Sequence, residues 1–139
     1  MKVSPDKGFT FRWEEALSFE GESAPFIMYS HTRACSISKK VGRNASYSGL
    51  DDIPTAMFEL LRTMAWFSDK LRQSVVENKP HVFALYLLEL ATAYNAFYRD
   101  CHVIRDGSVN EFNFSISEKA RSLLREGMIG IGIIPLETM

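Results

Sequence analysis

The sequence predicts an all-α domain, an antiparallel helical bundle of four to five helices, and three observations carry that prediction. Apolar residues recur at steps of three and four through two long stretches, Met57 to Val75 and His81 to about Arg105. Strict alternation of polar and apolar residues is confined to one short segment, Glu111 to Ile116. Glycine and proline fall between the periodic stretches rather than inside them, which keeps the breaks between elements short. At 139 residues the chain is long enough for one domain with a sizeable core and too short for two comfortable ones.

Taken in order, Asp6 to Gly8 reads as a turn. Phe9 to Phe19 places Phe9, Trp13, Ala16 and Leu17 near helical spacing, and Gly21 ends that element. Ser23 is a good N-cap for the next helix. Pro25 is tolerated in its first turn, because the early amides of a helix have no intrahelical acceptor. This helix runs to about Lys40, its last cations complement the negative end of the helix dipole, and Gly42 stops it. Residues 42–53, rich in Gly, Ser, Asn and Asp, form a mobile surface loop.

After Pro54 a single apolar stripe, Met57, Leu60, Leu61, Met64, Phe67, Leu71 and Val75, marks an amphipathic helix that Asn78 to Pro80 breaks. From His81 to about Arg105, two adjacent rows of apolar residues make the widest apolar surface in the chain. Leu85, Leu88, Ala91, Asn95, Tyr98 and His102 form one row, and Leu87, Leu90, Tyr94, Phe97 and Cys101 the other. That is the central, most buried helix. Asp106-Gly107-Ser108 forms a turn, Glu111 to Ile116 a short extended piece, and Ser117 caps a last helix from Glu118 to about Gly130. Pro135 prevents a regular helix from continuing, so the end of the chain packs as an extended tail.

Net charge is −1, with 46% apolar and 24% charged residues, which is ordinary for a globular protein and lacks a global basic excess. One local bias stands out. Between Glu22 and Arg43 the basic residues Arg33, Lys39, Lys40 and Arg43 face the single acid Glu22, and Lys39, Lys40 and Arg43 are candidate phosphate contacts beside the plainer reading of a solvated face. Cys35 and Cys101 are the only cysteines, no signal-like segment precedes them, and no apolar run approaches a membrane span, so a cytoplasmic protein with no membrane partner is expected.

Catalytic signatures are missing. Gly127, Gly130 and Gly132 stand in the wrong order for a dinucleotide loop and follow a helix rather than a strand. Glu14 and Glu15 are neighbours that diverge on a helix, Glu20 precedes a glycine at the helix end, and all three read as solvated charge. His31 and Cys35 are four apart, and Cys101 and His102 are adjacent, but adjacent helical residues point about 100° apart and serve one ion poorly. No metal site is expected. Phe26, Ser30 and Arg33 lie along one helix face as a ring, a small polar group and a guanidinium, and Tyr98 adds a ring on the central helix. Unpaired bases are read by such stacking surfaces with cations nearby, although aromatic residues at these positions are more often core.

Longer stretches carry more specific information. The run from Phe11 to Arg33, with Trp13-Glu14-Glu15-Ala16-Leu17-Ser18-Phe19-Glu20-Gly21 and Ser23-Ala24-Pro25-Phe26-Ile27-Met28-Tyr29-Ser30-His31-Thr32-Arg33, resembles the point where arginyl-tRNA synthetases pass from their class I catalytic domain into a DALR-type anticodon-binding domain. Pro80 with Tyr86 to Tyr98, and Gly127 to the terminal Met139, resemble the same family in the same order. The resemblance implies an all-helical domain over residues 23–139, with residues 1–22 as the connector from a catalytic domain. It also implies recognition of the anticodon loop of arginine tRNA, including its central cytosine. Carried over by position, the pocket is Phe26, Ser30, Tyr98 and Met139. Phe26 stands where relatives often have tyrosine, and Ser30 where they often have alanine.

The His-Ile-Gly-His-like and Lys-Met-Ser-Lys-Ser-like signatures of the catalytic domain do not occur in this chain. The resemblance therefore assigns ATP and Mg2+ only to the full-length enzyme, no cofactor to this chain, and no aminoacylation by this chain alone. Phosphate contacts are expected to give a steep salt dependence. The rival reading is a stand-alone helical protein-interaction module derived from that domain, self-associating through an exposed connector at Trp13 and Phe19.

Overall fold

The computed structural model describes Gly8 and residues 10–17, 23–44 and 53–139. Its elements are α1 (Trp13–Ala16), α2 (Ala24–Val41), α3 (Thr55–Ala65), α4 (Phe67–Val76), α5 (Pro80–Asp100), a hairpin of β1 (Ile104–Arg105) and β2 (Ser108–Val109), and α6 (Glu111–Gly130). The all-α bundle is borne out. Helix α5 is its centre, touching α2, α3, α4 and α6. Leu87, Leu90, Tyr94 and Phe97 of α5 are fully buried among Met57 and Leu60 of α3, Ala34 of α2, and Leu124 and Met128 of α6.

Local chemistry explains most boundaries. Ser23 Oγ accepts the Phe26 amide at 3.3 Å, and Gly42 ends α2 in the left-handed region at φ 66°. Helix α6 closes with a Schellman pair, Gly132 N–H to the Ile129 carbonyl (3.0 Å) and Ile133 N–H to the Met128 carbonyl (2.8 Å), around a left-handed Gly132. That closure launches the tail as expected, in irregular rather than helical backbone.

Four expectations are corrected. The first helix is only Trp13–Ala16: residues 10–12 are not helical, and Phe9 and residues 18–22 lie outside the described residues. The stripe after Pro54 is two helices, not one. The Tyr86 hydroxyl donates to the Thr63 carbonyl at 2.9 Å, and the Trp66 amide turns to the same carbonyl at 3.2 Å in a tighter bond that bends the chain there. Beyond that bend Phe67 still packs on Phe83 and Tyr86 of α5, but the stripe then leaves the core, and Val75 is 71% exposed.

Helix α5 stops at Asp100, not near Arg105, because Val103 is buried and the chain reverses through Asp106 and Gly107. Both of these residues have positive φ, 50° and 78°, the type I′ geometry that joins strands of a two-residue hairpin. Finally, Glu111 to Ile116 is helical, not extended. Asn110 rather than Ser117 is the cap: its Oδ1 accepts the Asn113 amide at 2.9 Å, and Glu111 supplies an acid to the first turn. The alternation of Phe112, Phe114 and Ile116 reflects burial of more than one side of α6 against its neighbours. Most of the surface loop, residues 45–52, lies outside the described residues.

Candidate nucleic-acid interface

Helix α2 turns one face to α5 and another to α6. On the α5 side the polar residues form one connected cluster. Ser30, fully buried, donates to the Phe26 carbonyl (2.9 Å) and accepts from Asn95 Nδ2 (2.8 Å). Asn95 Oδ1 in turn accepts Arg33 Nη1 at 2.9 Å, and Arg33 Nη2 donates to the Tyr29 hydroxyl at 3.1 Å. The guanidinium lies over two rings, 4.4 Å from the Tyr29 centroid and 5.0 Å from that of Tyr98. Each such contact is worth about 0.5–1 kcal/mol at an exposed site.

The geometry therefore orients a cation rather than burying it. Tyr29 and Tyr98 bracket Arg33 from two helices, and Asn95 fixes its plane. Both tyrosines keep accessible ring surface, Tyr98 being 42% exposed. Two of the five guanidinium N–H donors are used by Asn95 and Tyr29.

The structure brings together Ser30, Arg33 and Tyr98, with the half-buried Phe26 linked through its carbonyl. Met139 is 57% exposed and takes part in none of these bonds. Its segment is tied elsewhere on α2, through the Leu136 carbonyl to His31 (2.8 Å) and Glu137 to Lys39 (3.5 Å). Arg43 pairs with Glu111, and Lys40 is exposed with no ion pair among the described residues. Tyr29 and Asn95 are the members that sequence reasoning missed. Their signals were present: Tyr29 is one helical turn from Arg33, and Asn95 is the one amide within the apolar rows of α5.

Other features stand apart from this cluster. A cavity of about 220 Å³ lined by Arg62, Thr63, Trp66, Lys70, Tyr86 and Glu89 lies on the α3 and α4 side of α5. His31 and Cys35 meet on α2, with sulfur 3.6 Å from Nε2, whereas Cys101 packs beside Met57 of α3. Among the described residues no group of three or more His, Cys, Asp or Glu side chains could hold a metal ion. No helix of the described residues is long and apolar enough to cross a membrane.

Fold and cluster together define a helical-bundle module organised around a tyrosine-bracketed arginine. The chain belongs to the DALR anticodon binding domain family, which matches residues 27–139. It is 38% identical to the arginine–tRNA ligase of Methanosarcina mazei over all of this chain and 26% of that protein. To the arginine–tRNA ligase of Methanocaldococcus jannaschii it is 34% identical, over 95% of this chain and 24% of that protein. Thermus thermophilus arginyl-tRNA synthetase superposes with a TM-score of 0.86 at 32% identity, over 99% of this chain and 25% of that one. The Plasmodium falciparum enzyme shares the fold, with a TM-score of 0.82 at 23% identity and similar coverage. The chain thus spans about a quarter of the length of the relatives it matches.

Proposed function

We propose that this chain recognises the anticodon loop of arginine tRNA on the α2–α5 face. The observation that carries the reading is the clamped guanidinium of Arg33 between Tyr29 and Tyr98. An unpaired base needs a ring to stack on and a directed donor for its edge, and this cluster offers both on one surface. Phe26 adds an aromatic edge. Ser30 acts from below, holding Asn95 and through it Arg33. Met139 completes the pocket from the tail, and Lys40, Lys39 and Arg43 at the end of α2 meet phosphates.

In this reading residues 23–139 are the RNA-binding domain and residues 1–22 the joint to a catalytic domain, where ATP and Mg2+ would be used. The 68% exposure of Trp13 favours an apolar partner at that joint, either the catalytic domain or a second copy of the chain. The test is titration of the chain with an arginine tRNA anticodon stem-loop and with one whose central cytosine is replaced. Tighter binding of the first supports the proposal. Equal binding of both, or none, overturns it, and a stable dimer indifferent to RNA in sedimentation supports the protein-interaction alternative.

A further inference from the structure

The tail and the RNA face share helix α2, and one side chain joins them. His31, next to Ser30, is 1% exposed, and its Nδ1 lies 2.8 Å from the Leu136 carbonyl, 105 positions along the chain. A carbonyl only accepts, so Nδ1 carries the proton and donates. In the neutral ring Nε2 is then an acceptor, and it sits 3.6 Å from Cys35 Sγ, whose S–H donates weakly to it. The ring is thus held from both ends. Little else in the described tail is comparably anchored: Ile134 is 80% exposed and the Lys39–Glu137 pair lies in solvent.

We infer that His31 is a positioning residue, whose Nδ1–H bond to the Leu136 carbonyl holds the segment after Ile133 against α2 and so carries Met139 beside the helix that bears Ser30 and Arg33. The RNA consequence rests on the proposed anticodon reading; the docking of the tail does not.

The surroundings make this bond sensitive to protons. Arg121 and Arg125 of α6 and Glu137 of the tail act on the ring electrostatically, Cys35 of α2 lies against it, and Tyr94 of α5 is within electrostatic range of Cys35. Burial, opposed by the Leu136 bond and reinforced by the two arginines, holds His31 below the ordinary histidine value. Protonation would place an N–H against sulfur beside two guanidinium groups, so acid favours the released tail, in which the ring titrates near its ordinary value.

Carboxypeptidase release of Leu136 from the unaltered chain, H31L and H31N tests the inference, with hydrogen exchange in α5 as the check that the bundle remains folded. Normalised to a free peptide of residues 131–139 at the same pH, release from the unaltered chain should rise between pH 7.5 and pH 5 by up to about 30-fold, the factor set by a free imidazole of ordinary pKa. H31N retains a donor near the Nδ1 position without titrating in this range, so its Leu136 should be released slowly with a flat profile. H31L should lose Leu136 quickly at both pH values. A resistant Leu136 in H31L, or the same pH profile in H31N as in the unaltered chain, overturns the inference.

In the RNA arm, stem-loop affinity should fall several-fold in H31L and in a chain ending at Pro135, with no further loss when the two are combined. Additive losses overturn the link from His31 through the tail to RNA. Absence of RNA binding by the unaltered chain instead overturns the anticodon reading, while the rate of Leu136 release still decides the role of His31.

Discussion

Asn95→Asp separates the orienting role of the α2–α5 cluster from its contribution to stability. The carboxylate keeps the acceptor for Arg33 Nη1 and removes the Nδ2 donor to Ser30. Losing that bond costs about 1 kcal/mol, the usual net worth of a hydrogen bond, and the new half-exposed ion pair returns about 0.2–1 kcal/mol. Folding stability should therefore change by less than about 1 kcal/mol. Binding behaves differently. A negative charge about 7 Å from an RNA anion opposes it by about 1–2 kcal/mol at effective dielectric constants of about 20–40, and it also neutralises the cation meant for RNA. Affinity for the stem-loop should fall roughly 5- to 30-fold. Fluorescence titration and urea denaturation of the same preparations supply both numbers, and Asn95→Ala is the uncharged control with a smaller loss. Unchanged RNA affinity at unchanged stability would refute the role given to this face.

Tyr94 and Ser117 are both fully buried and share one hydrogen bond of 3.0 Å, and the same burial raises the Tyr94 pKa well above its usual value. Ser117→Ala strands the phenol and should cost about 2 kcal/mol, Tyr94→Phe about 1, and the double variant clearly less than the sum, as thermal or urea unfolding will show. At Gly127 a β-carbon would lie 2.2 Å from Leu87 Cδ2, on a fully buried side chain that would have to shift within the core. Overpacking of about 1–3 kcal/mol exceeds the roughly 1 kcal/mol of helix propensity gained, so Gly127→Ala should lower Tm; a raised Tm would contradict that packing. His31 titrates below its ordinary value when folded, so below about pH 6.5 the unfolded chain binds the extra proton and stability declines with acidification. His31→Asn should flatten that part of the pH–stability curve, and an unchanged slope would assign the decline to other groups.

Where a signal was local in the chain it was legible. Ser23, Gly42 and Asp106-Gly107 act through their own backbone preferences and a partner within four residues, so the ends of α2 and the turn after α5 follow from residue type alone. The break at Trp66 was not legible, because the Tyr86 hydroxyl that takes the Thr63 carbonyl comes from another helix, 23 positions away. The start of α6 was misread for a different reason. Phe112, Phe114 and Ile116 imitate strand alternation, while Asn110, the residue that decides the matter, looks like any loop asparagine. The site was half legible in the same sense. Helical spacing placed Phe26, Ser30 and Arg33 on one side of α2, but only the packing of α5 across them shows that Asn95 connects Ser30 to Arg33. Tyr29 became part of the cluster through the direction in which Arg33 extends.

The partners that the cations of α2 hold in the fold also change the expected salt dependence. From the sequence, Lys39, Lys40 and Arg43 as candidate phosphate contacts, with Arg33 a fourth cation in the same segment, suggest a steep loss of affinity with salt. In the structure Lys39 faces Glu137 and Arg43 faces Glu111. The bidentate Arg43–Glu111 pair, with the Glu111 side chain only 19% exposed, keeps its cation occupied, whereas the solvent-exposed Lys39–Glu137 pair is weak enough for a phosphate to displace the acid. The released carboxylate then attracts a cation from solution, which offsets the counterion that the phosphate gives up. Net release therefore comes mainly from Lys40 and Arg33, and a single-stranded loop loses about 0.7 of a counterion per neutralised phosphate. The slope of log affinity against log salt should be about −1 to −2, rather than the value near −3 that four free cations give. Glu111→Gln, which frees Arg43, should steepen it by about 0.7. An unaltered chain with a slope of −3 or beyond, or an E111Q chain with an unchanged slope, would show that the bound RNA does not approach the end of α2 in this way.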